Sequence, residues 1–186
     1  MVSARTARIA FLLILLVYGL YAGLYIYRTS FEVNGTRYFA LFDDAMISMR
    51  YARNLAHGYG PVWNPGGERV EGYTNPLWVG VMALVHLLPL PAAQMSLPVQ
   101  VLAALLQIAN LVLVRRIAER VAPGSAFVAL SAVILTAFYL PLNTWSLQGM
   151  EVSLLLVIVS AALDRVLAAP DAHGFSLWPY LLLGVG

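Results

Sequence analysis

Long apolar runs separated by short polar connections dominate this chain. The first covers residues 8–27, and others cover roughly 75–90, 98–114, 125–142, 151–168 and 177 onward. About 20 apolar residues in helical form match the roughly 30 Å hydrocarbon layer of a bilayer. The pattern predicts an all-α, polytopic transmembrane bundle, with spans at about 8–27, 98–116, 125–142 and 151–168 and a further one beginning at 177. Arg5 and Arg8 precede the first run and Arg28 follows it. Tyr18, Tyr21, Tyr25 and Tyr27 crowd its far end, as in an interfacial aromatic belt. The run exceeds the roughly 7–15 residues of a signal-peptide core and no clear A-x-A site follows, so a retained helix is expected.

Arginine placement orients the bundle, because basic residues near helix ends favour the cytoplasm. Arg5 and Arg8 put the N-terminus there, and Arg115, Arg116, Arg120 and Arg165 mark later cytoplasmic ends. Segment 28–74 holds five Arg and five acidic residues, so nothing in its charge opposes an outer location. If 75–90 crossed the membrane, the 115–120 cluster would fall outside. That run is short for a span, contains His86 and ends in "LPLP". It is therefore read as an interfacial helix within an outer loop, 28–97. A second interfacial helix is expected at about 44–57, capped by Asp43 or Asp44 at its start and closed near Gly58. Ile47, Tyr51 and Leu55 would form its apolar line, beside a stripe of Asp43, Arg50, Arg53 and His57.

Composition agrees with this pattern. The 186 residues are 61% hydrophobic and 11% charged, against about 45–50% and about 25% in soluble domains. The absence of cysteine excludes disulfides and thiolate metal sites. A net charge of +2, with Arg as the sole basic residue besides His, gives no case for nucleic acid as a partner. "SLWPYLLLGVG" stops inside an apolar run, so the sequence is expected to be the N-terminal part of a longer protein. No internal repeat or separate soluble domain is expected.

The polar stretch "FDDAMISMRYARNLAHGYGPVWNPGGERVEGYTNPLW", residues 42–78, stands apart. A carboxylate at Asp43 or Asp44, close to the outer membrane face, suits a general base for a hydroxyl. It equally suits holding a divalent cation against a phosphate. The competing reading is a helix cap at the positive end of the dipole. Arg50 and Arg53 suit phosphate recognition, or lipid headgroups, or pairing with Glu68 and Glu71. Trp63, Tyr73 and Trp78 suit sugar stacking or interfacial anchoring. Glu151, in "NTWSLQGMEVS", opens a membrane helix on the same side as Asp43 and Asp44 and is a further candidate. "NGT" at 34–36 matches a glycosylation sequon and carries no weight.

Over roughly 35 residues, the 43–78 stretch resembles the first extracytoplasmic loop of GT-C superfamily glycosyltransferases. The likeness is strongest to the bacterial terminal arabinofuranosyltransferase branch. That branch shows DDA-x-I-S-x-RYA-x-NL, then G-x-G-x-V-x-NPGE-R-VEGYT-x-P-LW. Here one extra glycine precedes Glu68. The branch's later S-G-x-E-T reads "SLQGME" in this chain, where Gly149 and Glu151 match and the Ser–Gly adjacency and Thr do not. The resemblance implies a multi-spanning enzyme of the bacterial plasma membrane, active on the outer face. It would move a sugar from a polyprenyl-phosphate donor to a cell-envelope glycan, lipid or protein. Asp43 or Asp44 would be the catalytic base or the carboxylate associated with a divalent cation such as Mg or Mn. Arg50, Arg53, Glu71, Tyr73 and Glu151 are the candidate substrate-binding residues. A transporter or flippase and a non-catalytic membrane scaffold are the alternatives, and the isolated 186 residues are expected to be inactive.

Overall fold

The computed structural model describes residues 3–70 and 72–168; Glu71 and the expected span from 177 lie outside them. Among the described residues the chain is mostly helical, with a single two-stranded hairpin. Helix α1, Ala4–Thr29, begins at Ser3, whose hydroxyl accepts the Thr6 N–H. Strands β1 (Phe31–Val33) and β2 (Thr36–Tyr38) pair antiparallel around Asn34–Gly35. Both turn residues have positive φ, 50° and 76°, the backbone that a two-residue hairpin turn with Asn-Gly favours.

Two short helices follow, α2 (Asp43–Ala56) and α3 (Pro76–Val85). At about 1.5 Å per residue, the ten residues of α3 span about 15 Å, half the hydrocarbon thickness. The helix ends earlier than its apolar run, which reaches residue 90. His86 is the C-cap, and Pro89 and Pro91 then exclude helix continuation. A 3₁₀ turn at Ala92–Gln94 leads into α4, Leu97–Val121. α1 and the stretch Ala92–Val121 are each long and apolar enough to cross a membrane.

The apolar run at 125–142 is not one straight helix. α5 (Ala126–Ala137) and α6 (Leu140–Leu147) meet at a bend of 51°. Pro141 occupies the first turn of α6, where its missing N–H costs nothing and where it starts a new helix. The Asn143 side chain donates to the carbonyls of Ala137 (2.9 Å) and Tyr139 (3.1 Å), filling acceptors that the break leaves open. Together the two helices form a third membrane-length element if they act as one broken span. Helix α7 is Val152–Ala168.

α4 is the central helix and packs against α1, α5, α6 and α7. One apolar core gathers Tyr18, Ala22, Leu111, Val133 and Leu147 between α1, α4, α5 and α6. A second joins α2, α3 and the start of α4 through Met49, Ala52, Trp78, Met82 and Val99. Far from that second core, Asp164 of α7 is clasped by Arg116 (3.1 Å) and Arg120 (2.7 Å) of α4.

The buried face of α2 differs from the expected apolar line. Ala45, Ser48, Met49 and Ala52 are buried, along with Tyr51, while Leu55 is exposed. The helix turns small residues toward α3, which lets the two backbones approach, and Leu55 is left outside that contact.

Candidate functional site

The residues with chemical potential converge where the start of α2, the start of α3 and the turn before α7 meet. Backbone pairing sets the frame: the Phe42 N–H donates to the Gln148 carbonyl at 2.8 Å. The Phe42 and Trp145 rings pack with centroids 4.9 Å apart. From the other side, the buried Trp78 indole donates to the Gly149 carbonyl at 2.8 Å. Gly149 holds φ +92°, and a Cβ there would fall 2.8 Å from the Leu41 side chain. Only glycine fits both the conformation and the space. Gln100 of α4 donates to the Leu147 carbonyl as well, at 3.1 Å.

On this frame a side-chain relay links three elements. The Ser48 hydroxyl donates to Asn75 Oδ1 at 3.1 Å, and Asn75 Nδ2 donates to the Glu151 carboxylate at 2.8 Å. Asn75 is the N-cap residue of α3, yet its side chain is not spent on the helix; it is turned to Glu151. Glu151 stands immediately before α7, and its carbonyl accepts from Leu154 and Leu155. A cleft of about 50 Å³ beside Glu151 is lined by Asn75, Trp78 and Leu154 among others. A volume near that of one or two waters is smaller than a sugar ring.

The two aspartates occupy the first turn of α2, exposed to solvent. Neither is the N-cap, in contrast to the expectation: Phe42 holds that position with no side-chain cap. Asp43 folds its carboxylate back to accept the Asp44 N–H at 3.0 Å. Adjacent helical residues point about 100° apart, so the pair faces two directions. Asp44 is one turn before Ser48 and shares its face. Asp43 lies on the side of Arg50.

The other candidates separate. Arg50 donates to the Trp63 carbonyl at 3.1 Å and to Asn64 at 3.4 Å, with its guanidinium 5.8 Å from the Trp63 ring centroid. It thus fastens the segment 62–64 to α2, helped by Asn54, which donates to the carbonyls of Val62 and Trp63. Tyr73 is half-buried, 4.9 Å from the Tyr51 ring, and the Tyr51 hydroxyl donates to the Val70 carbonyl. Trp78, expected as a sugar-stacking or anchoring residue, is 1% exposed and unavailable for either. Arg53 and His57, together with Arg50, line a cavity along the side of α2 turned away from Asp44 and Ser48. Glu71 lies outside the described residues. Among the described residues no group of three or more His, Cys, Asp or Glu side chains gathers as a metal cage.

Sequence reasoning passed over Ser48, Asn75 and Gln100. The available signal was a polar residue on an otherwise buried helical face, which requires a partner.

Over a stretch of 45 residues, 24% of this chain, the sequence is 51% identical to the terminal beta-(1->2)-arabinofuranosyltransferase of Corynebacterium glutamicum. The match spans 6% of that relative's length. No family model and no solved structure matches the chain. Part of this mostly helical chain, two of whose helices are long and apolar enough to cross a membrane, is therefore similar to part of a glycosyltransferase.

Proposed function

We propose that this chain is part of a membrane glycosyltransferase that uses a polyprenyl-phosphate sugar donor. The observation that carries the reading is the Ser48–Asn75–Glu151 relay. It brings together the two stretches that resemble GT-C enzymes, 43–78 and 146–151, and the partial similarity to an arabinofuranosyltransferase points the same way. In the proposed reaction, an aspartate at the start of α2 takes the proton of the acceptor hydroxyl. That oxygen bonds to the anomeric carbon of the sugar, the carbon–oxygen bond to phosphate breaks, and the phosphate leaves on its lipid. Asp44 is the preferred base, because it shares a helix face with Ser48 whereas the Asp43 carboxylate is occupied by a backbone N–H. A divalent cation would sit here on one or two carboxylates plus donor phosphate oxygens, an arrangement Mg²⁺ accepts. Glu151, Arg50, Tyr73 and Glu71 are proposed to line the substrate site.

The membrane arrangement belongs to the same proposal. The N-terminus and residues 115–120 are cytoplasmic, α2 and α3 lie at the outer surface, and the acceptor is a cell-envelope glycan, lipid or protein.

A general base contributes roughly 10²–10⁴-fold to rate. In the full-length protein, Asp44→Asn is expected to cut sugar transfer at least about 100-fold, with Asp43→Asn closer to wild type. Wild-type transfer by both variants would remove the catalytic assignment. A transporter reading draws on one observation, the buried polar groups of Gln107, Asn110 and Ser160 between α4 and α7. It predicts that Gln107→Leu abolishes lipid-linked sugar movement across vesicles while Asp44→Asn does not.

A further inference from the structure

A cavity of about 530 Å³ opens on the face of α2 away from Asp44 and Ser48. One wall is α2 and the other is the segment joining α3 to α4. Arg50, Arg53, His57, His86 and Ser96 supply its polar lining, and Met46, Met49, Leu88, Leu90 and Met95 most of its apolar lining. No acidic side chain lines it. Among the described residues Arg53 pairs with no carboxylate, and the buried His86 Nε2 has no hydrogen-bond partner. The site thus offers a guanidinium and two imidazoles with spare hydrogen-bonding capacity beside an apolar wall.

Its position specifies the environment. Met95 and Ser96 lead directly into α4, within the continuous apolar stretch Ala92–Val121. The cavity therefore sits at the end of a membrane-length helix, where lipid headgroups lie. It is also separate from the Glu151 relay. Asn75 and His86 are the two caps of α3, with its ten residues between them, about 16 Å apart. Asp43 is on the cavity's side of α2 but is not part of its lining, which begins one turn further on at Met46.

We propose that this cavity binds the phosphate head of an anionic bilayer phospholipid. Arg53, His57 and His86 hold the phosphate oxygens, and the methionine and leucine side chains receive the start of the acyl region. Arg50 borders both this cavity and the proposed substrate site, and the proposal stands whether or not the chain transfers sugar.

Burial lowers the His86 pKa below its ordinary 6.5, and the neighbouring positive charges of His57 and Arg53 act in the same direction. The Met49 carbonyl opposes them, with a geometry that falls short of a hydrogen bond. Arg53 and His57 face His86 from α2, Arg50 adds a further positive charge to the same cavity, and the opposite wall brings no other charge. An anionic phosphate supplies the missing counter-charge, so binding takes up protons and tightens as pH falls.

The test melts the purified full-length protein in zwitterionic detergent with short-chain phosphatidylglycerol, the matching phosphatidylcholine, or inorganic phosphate. Phosphatidylglycerol is expected to raise the melting temperature by several degrees, and the other two by less than half as much. The double variant R53Q/H86Q is expected to lose the difference, and Arg53→Lys to keep it. Equal shifts from the two lipids, or an undiminished shift in the double variant, overturn the proposal. An equal shift from inorganic phosphate makes this a free-phosphate site and overturns the lipid assignment. Should the double variant fail to fold, the wild type decides: its phosphatidylglycerol shift must grow between about pH 8 and about pH 5.5, and a flat profile counts against the proposal.

Discussion

Gly149 concentrates several demands on one residue. Its carbonyl receives the Trp78 indole, its φ is +92°, and its missing side chain makes room for Leu41. An alanine where φ is positive costs more than about 1 kcal/mol, and the overlap with Leu41 adds to that. Gly149→Ala is expected to lower the melting temperature by several degrees and to weaken any activity that depends on Glu151. A melting point equal to wild type would show that the turn relaxes freely. The sequence offers Gly149 only as one letter of a motif, because Leu41 and Trp78 come from distant parts of the chain. Glu151, by contrast, is visible as a lone acid in an apolar stretch. Asn75 was hidden inside a run of turn-forming residues, where nothing marks one polar side chain as facing another helix. His86 carries a separate expectation. Its depressed pKa means the unfolded chain binds the proton more readily, so its contribution to stability is present above about pH 6.5 and fades as pH falls. Lipid-free His86→Gln should show a flatter stability profile between about pH 7 and about pH 5 than the wild type does.

At the scale of elements, local chemistry overrides apolar length. The run at 125–142 reads as one span by hydropathy, yet Pro141 and Asn143 lie within it or directly after it. Those two residues mark a helix start and a side-chain acceptor cap, and they divide the run into α5 and α6. Asn143→Leu would leave the Ala137 and Tyr139 carbonyls without these donors, at a cost of about 1–3 kcal/mol. Chemical denaturation of the purified protein measures that loss, and an unchanged midpoint would assign no role to the cap. The hairpin at 31–38 was equally legible: Asn34-Gly35 between two short segments is a strong turn signal. Its strands hold together through stacked Phe31 and Tyr38 and the Glu32–Arg37 pair. The face of α2 was harder to read. Its apolar line suggested a lipid contact, whereas Ala45, Ser48 and Ala52 pack on α3, and small residues give periodicity little to work with.

For the molecule as a whole, the chain's lack of cysteine provides a clean background for mapping sidedness. Gln94→Cys and Glu119→Cys stand toward opposite ends of the continuous Ala92–Val121 stretch. In intact cells, an impermeant thiol reagent is expected to label the first and not the second; labelling of Glu119→Cys alone would invert the proposed arrangement. The Arg116–Asp164–Arg120 clasp ties the ends of α4 and α7, with Asp164 almost wholly buried and both arginines partly exposed. Removing the two arginines strands a buried charge, a loss of about 3–5 kcal/mol in comparable cases. The double variant R116A/R120A is therefore expected to melt lower than Asp164→Ala, which leaves only exposed charges behind. α3 adds a consequence of its own. It is a stiff rod of ten residues whose one cap grips the Glu151 relay while the other borders the basic cavity. A rod held at both ends transmits a tilt. If occupancy at the His86 end changes affinity at the Asn75 end by some factor, thermodynamic reciprocity requires the same factor in return. The lipid composition of the surrounding leaflet would then act as an effector, and substrate would in turn recruit its own preferred lipids.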